Sequence, residues 1–119
     1  MKKILTITLI LSATLFAQSA QEILETNGCF SCHAIASKKT APAFAGIAKR
    51  NKRFNADNAQ ATIMSSIKNG SQGKYRHFSA TMPAFAHLDD EALRTVADYI
   101  LAQSSKAKGQ GCNGSRCQH

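Results

Sequence analysis

The stretch TNGCFSCHAIASKKTAPAF, residues 26–44, decides the reading of this chain. Within it Cys29, Cys32 and His33 form Cys-Phe-Ser-Cys-His. Three chemistries use cysteines at this spacing. A thioredoxin-like redox pair needs a preceding strand and a βαβ context, and the flanks here read as helical. A structural zinc site needs four ligands, usually as two pairs. The other two cysteines, Cys112 and Cys117, stand far away in a glycine-rich tail.

The third chemistry is covalent attachment of a c-type haem, for which Cys-x-x-Cys-His is the signature. Residues at i and i+3 lie on one face of a helical turn. Cys29 and Cys32 can then bond the two haem vinyl groups as thioethers, and His33, one residue on, supplies an axial nitrogen to the iron. A second axial ligand follows from the first. The candidates are Met64, His77, Met82, His87 and His119. Met64 falls on the apolar face of an expected helix, where methionine usually fills a core. Met82 stands in SATMPAF beside Pro83, inside a long connection that something must order.

The spacing of apolar residues on either side predicts an all-α chain of three or four helices. Ala20–Thr26 is a short amphipathic helix stopped by Asn27-Gly28. A second, Pro42–Lys49, places Pro42 at the first helical position. From about Asp57 to Lys68, Ala59, Ile63, Met64 and Ile67 recur at helical spacing before Asn69-Gly70. The last is the clearest: Asp89 is a natural N-cap, and Leu93, Val96, Ala97, Ile100 and Leu101 make one apolar stripe. The connection Ser71–Leu88 is long for so small a domain, and a bound cofactor would order it.

The chain begins MKKILTITLILSATLFAQSAQ: two lysines, an apolar run from Ile4 to Ala17, then small and polar residues. That order is a secretory signal peptide, and the run is short for a membrane span. Residues 1–20 are therefore expected to be removed after Ala17, Ser19 or Ala20, an uncleaved anchor being the alternative. Residues 21–103 form one domain, and 104–119 a flexible tail carrying a cysteine pair. The whole chain has 15 basic and 7 acidic residues. Without Lys2 and Lys3, 13 remain against the same 7, a surplus of 6. Such a surface favours acidic partners. The scattered cations and the expected export set nucleic acid aside. With no tryptophan, two tyrosines and six phenylalanines, no large aromatic core is available. A domain of this size leans on a staple such as a metal or cofactor.

Taken in order, CFSCH, APAFAGIAKR, NGSQGKY, TMPAF and LDDEALRTVADYILAQ resemble a class I cytochrome c, of the small bacterial monohaem c5, c-551 and c-553 kind. The resemblance covers residues 21–103. It implies the cytochrome c fold around one covalent haem c, held by Cys29 and Cys32, with His33 as proximal and Met82 as distal iron ligand. It implies that the Pro42 carbonyl accepts the His33 ring N–H, and that Ile23 and Leu24 cross Val96 and Ile100. Many relatives carry tryptophan where Tyr75 stands, so Tyr75 is expected beside a haem propionate, with Lys74, Arg76 and His77 as balancing charges.

The function implied is a periplasmic one-electron carrier, not an enzyme, exchanging electrons with acidic redox proteins. It would work as a monomer and meet the membrane only through partners. Lys38, Lys39, Lys49 and Lys74 are the expected docking charges. Two alternatives remain at this point, a haem-based sensor with an open distal position and a dedicated electron-accepting subunit of a periplasmic oxidoreductase. In the tail, Cys112 and Cys117 are expected to close a small disulfide, as an oxidising compartment permits, a metal site using His119 or a second haem being the alternatives. Gln118 separates Cys117 from His119, which breaks the adjacency a second haem would need. Iron quantification should therefore give one haem per chain; a value near two would overturn the reading of the tail.

Overall fold

The computed structural model describes residues 17–107. The expected signal peptide up to Phe16, and the tail with Cys112, Cys117 and His119, lie outside the described residues.

Helix α1 spans Ala20–Thr26. Ser19 starts it, its hydroxyl accepting from the Glu22 amide at 3.2 Å, and Glu22 places negative charge in the first turn. Ile23 and Leu24 are its buried face. The chain then turns through Gly28, at φ 69°, into a 3-10 turn at Cys29–Ser31.

Helix α2 spans Phe44–Phe54, starting two residues later and ending five residues later than expected. Pro42 therefore does not open the helix. It precedes the N-cap, Ala43, whose backbone is extended at φ −62° and ψ 146°. The cause lies in the preceding loop. The amides of Phe44 and Ala45 donate to the carbonyls of Ala34 and Ile35, both at 2.9 Å. Backbone from the cysteine segment thus serves two of the orphan donors that any helix start leaves, and no side-chain cap is needed. At the far end the helix runs on through Lys49-Arg-Asn-Lys-Arg, all acceptable helix residues, until Asn55.

A 3-10 turn at Ala56–Asn58, which contains Asp57, leads into α3, Ala59–Asn69. Ala59 and Ile63 are buried, while Met64 and Ile67 are half-buried against the core. Helix α4 spans Asp90–Ala102, with the Asp89 carboxylate accepting from the Ala92 amide at 2.8 Å. Its stripe is buried as the pattern requires: Leu93, Val96, Ala97 and Ile100. Ser104, expected to open the tail, instead belongs to a 3-10 turn at Gln103–Lys106 that packs on α2. The Lys52 ammonium donates to the Ser104 hydroxyl at 2.8 Å.

Helix α4 touches all three other helices. Ile23 and Leu24 meet Val96 and Ile100 in one buried cluster with Phe44, Ala48 and Ile63. No strand occurs among the described residues, only a two-residue antiparallel bridge between Ser71 and Met82. That bridge bears on the long connection. Backbone bonds already pin it: Ser71 and Met82 exchange amides at 3.0 and 2.8 Å, and the Phe85 amide reaches Ile67 at 2.9 Å. No described helix is long and apolar enough to cross a membrane.

Leu93 is 1% exposed on the helix that joins the others. Leu93→Ala should cost about 2–5 kcal/mol by denaturant unfolding, and a loss below about 0.5 kcal/mol would contradict this packing.

Candidate functional site

The helices leave a cleft of about 260 Å³, with walls from all four of them and from two loops. Ile23 and Leu24 of α1, Phe44, Ile47 and Asn51 of α2, Ile63 and Ile67 of α3, and Val96 and Ile100 of α4 line it. Cys29, Cys32, His33 and Pro42 enter from the cysteine loop. Tyr75, Phe78, Met82, Pro83 and Phe85 enter from the long connection. Residues 53 positions apart in sequence, Cys29 and Met82, thereby face one space.

The cysteine loop is held by its own backbone. The His33 amide donates to the Cys29 carbonyl at 3.0 Å, which keeps Cys29, Cys32 and His33 on one compact turn. The Ala41 amide donates to the Cys32 carbonyl at 3.1 Å, bringing the next strand of loop alongside. With Phe44 and Ala45 also tied to residues 34 and 35, Pro42 is left beside the histidine. The His33 Nδ1–H donates to the Pro42 carbonyl at 2.6 Å. A carbonyl only accepts, so this bond fixes the tautomer and leaves the lone pair on Nε2. The ring also stacks on Phe44, with centroids 5.1 Å apart and planes 19° apart.

Burial holds the His33 pKa below the ordinary imidazole value, against a smaller opposing effect from the Pro42 carbonyl. The ring is thus neutral and able to donate to a metal. Burial pushes the Cys29 thiol the other way, up, and the neighbouring Cys32 adds to this. A raised thiol pKa is the opposite of what a reactive redox pair requires. Cys29 is half-buried and Cys32 exposed. Among the described residues, no group of three or more His, Cys, Asp or Glu side chains could hold a metal ion by itself.

Met82 is half-buried, fixed through its backbone by Ser71. Tyr75 also lines the cleft, under the Arg50 guanidinium, which lies 5.0 Å from its ring centre. Burial raises the Tyr75 pKa, with Arg50 and the Asn51 side chain opposing. Lys74 reaches the cleft and donates to the Ser66 hydroxyl at 2.6 Å, whereas Arg76 and His77 are exposed and take no part in its walls. His87 also stays outside, bonded through Nε2 to Asn27 at 2.8 Å. Of the other two candidates for the second ligand, Met64 packs against the core rather than lining the cleft, and His119 lies outside the described residues.

Two residues that shape the site escape a reading of the sequence, Asn51 and Gly70. Asn51 is a polar residue buried in the wall, its amide donating to the Ile47 carbonyl at 2.9 Å. The signal for it was the register Phe44, Ile47, Asn51, which repeats one helix face. Gly70, readable only as a helix stop, has a second duty. At φ 78°, an added Cβ would lie 2.8 Å from the Met82 carbonyl oxygen and 3.1 Å from the Ala84 nitrogen.

The donor set suits a haem: two thiols on one turn, an imidazole oriented by a carbonyl, a thioether from a separate loop, and largely apolar walls. A helical domain with that cleft is a small c-type cytochrome in class. The Cytochrome c family model matches residues 17–104. The chain is 36% identical to cytochrome c-551 of Pseudomonas aeruginosa over 108 residues, covering 87% of this chain and 99% of that one. It is 31% identical to cytochrome c-551 of Stutzerimonas stutzeri over 107 residues, 86% of this chain and 98% of that one. The crystal structure of Nitrosomonas europaea cytochrome c552 superposes with a TM-score of 0.62 at 28% identity, covering 70% of this chain and 98% of that one. The chain belongs to the cytochrome c family; its fold is the cytochrome c fold, its cofactor is one covalently attached haem c, and it is a small electron carrier.

Gly70→Ala should cost about 1–3 kcal/mol from backbone strain and the collision with Met82. The Met82 amide should exchange with solvent faster than in the parent protein; unchanged exchange would show that Gly70 does not hold the loop.

Proposed function

We propose that this chain is an exported, periplasmic one-electron carrier in which Cys29 and Cys32 hold the porphyrin by thioethers and His33 and Met82 ligate its iron. The observation that carries the reading is the convergence of these four side chains on one apolar cleft, with the His33 tautomer set by Pro42. Haem in this site supplies a ferric/ferrous couple. A thioether ligand favours the ferrous form and raises the reduction potential.

The chain's own residues supply the rest. Pro42 orients the imidazole and strengthens it as a donor. Ser71 and Gly70 fix the backbone that carries Met82. The aliphatic walls from α1, α3 and α4 exclude water and lower the local dielectric, a lever on the potential. Two protein ligands leave no coordination position for a substrate, which supports a carrier over an enzyme or an open-sited sensor. Export is supported by Lys2-Lys3 followed by the apolar run Ile4–Ala17.

The oxidised protein should show a methionine–iron charge-transfer band. Met82→Ala should remove that band, lower the reduction potential and admit external ligands such as imidazole, while keeping the covalent haem. A parent protein without the band, or a Met82→Ala protein that retains it, would overturn the ligand assignment.

A further inference from the structure

Helix α2 carries charge of one sign. Lys49, Arg50, Lys52 and Arg53 are all exposed and fall within one short run of the helix. Among the described residues the single ion pair, Lys68 with Asp90 at 3.6 Å, lies elsewhere. The helix ends on Phe54, which is 73% exposed and stands alone among the described large apolar side chains in being so. One exposed ring is ordinary in itself. Its position is not.

The cleft-facing residues of α2 are Phe44, Ile47 and Asn51, and Phe54 continues that register about one turn beyond the cleft. The Arg53 guanidinium lies 5.1 Å from the Phe54 ring centre, and that of Arg50 lies 5.0 Å from the ring centre of Tyr75, which lines the cleft. Two arginine–aromatic pairs therefore run from the rim of the cleft to the exposed ring. Aromatic residues and arginine are the side chains enriched in protein interfaces. Two of the lysines expected at a docking face are otherwise engaged: Lys39 donates to the Phe30 carbonyl at 2.8 Å and Lys74 to the Ser66 hydroxyl.

We propose that the second half of α2, with Lys49, Arg53 and Phe54 at its centre and Arg50–Tyr75 at its inner edge, is the docking surface for an acidic redox protein. The cations steer the encounter, and Phe54 is the apolar anchor that the partner covers. The proposal rests on the carrier reading and names the side of the molecule through which it works. Continuity with the cleft favours a protein that exchanges electrons over a lipid surface, which would block the same rim to no effect.

The test uses haem-loaded full-length protein on gold electrodes coated with carboxylate-terminated alkanethiol, alone or mixed with methyl-terminated alkanethiol. Voltammetry reads the amount of electroactive protein bound at low salt. The Lys49→Glu/Arg53→Glu variant should bind about tenfold less on either coating, while Lys38→Glu/Lys39→Glu stays within about twofold. Phe54→Ala should lose the gain that methyl groups give the parent protein, also about tenfold. Unchanged binding by the α2 variants, or an equal loss from the Lys38/Lys39 pair, would overturn the assignment. So would α2 variants that differ from the parent only in binding phosphatidylglycerol vesicles, which would make the surface a lipid site. Failure of the carrier reading looks different: the parent protein itself would show no reversible couple in solution.

Discussion

The hydrogen bond from the His33 ring to the Pro42 carbonyl settles which nitrogen faces the cleft, and much of the local chain exists to deliver it. Pro42 is nine residues further along than His33, too far for a turn to join them. What joins them is a ladder of backbone bonds, from Ala41 to Cys32 and from Phe44 and Ala45 to Ala34 and Ile35. The same ladder starts α2 without a side-chain cap. Sharing donors in this way couples the histidine to the helix: α2 cannot shift without moving Pro42, and so the ring.

The other side of the cleft depends on a different economy of backbone. The connection from α3 to α4 has no regular structure, yet it is tied at Ser71, Met82 and Phe85. Gly70 allows the approach, since any side chain there would meet the Met82 carbonyl. The order expected from a cofactor is thus partly built into the polypeptide. A loop pre-arranged in this way loses less entropy when a cofactor binds.

The sequence was most readable where the chemistry is local. Cys29, Cys32 and His33 lie within five positions, and the α4 stripe repeats over just more than two turns, so both could be read without tertiary knowledge. Propensity alone puts Pro42 at the first position of α2, whereas here it lies ahead of the N-cap and its carbonyl serves the His33 ring. Ser104 read as tail because polar composition does not reveal that Lys52 reaches it from α2. Asn51 and Gly70 needed the fold itself. The helix register puts Asn51 on the cleft face without showing that it is buried, and the close approach at Gly70 comes from residues 12 to 14 positions further on, which no local pattern encodes.

If the proposed leader is removed, the hydroxyl of Ser19 bears on where the cut falls. Trimming after Ala17 would leave the serine in place, with the new amino terminus two residues upstream of α1. Trimming after Ala20 would strip away the acceptor for the Glu22 amide and put a fresh ammonium at the positive pole of the helix. Since Ile23 and Leu24 are part of the cleft wall, the choice of scissile bond would be felt as fraying next to the porphyrin.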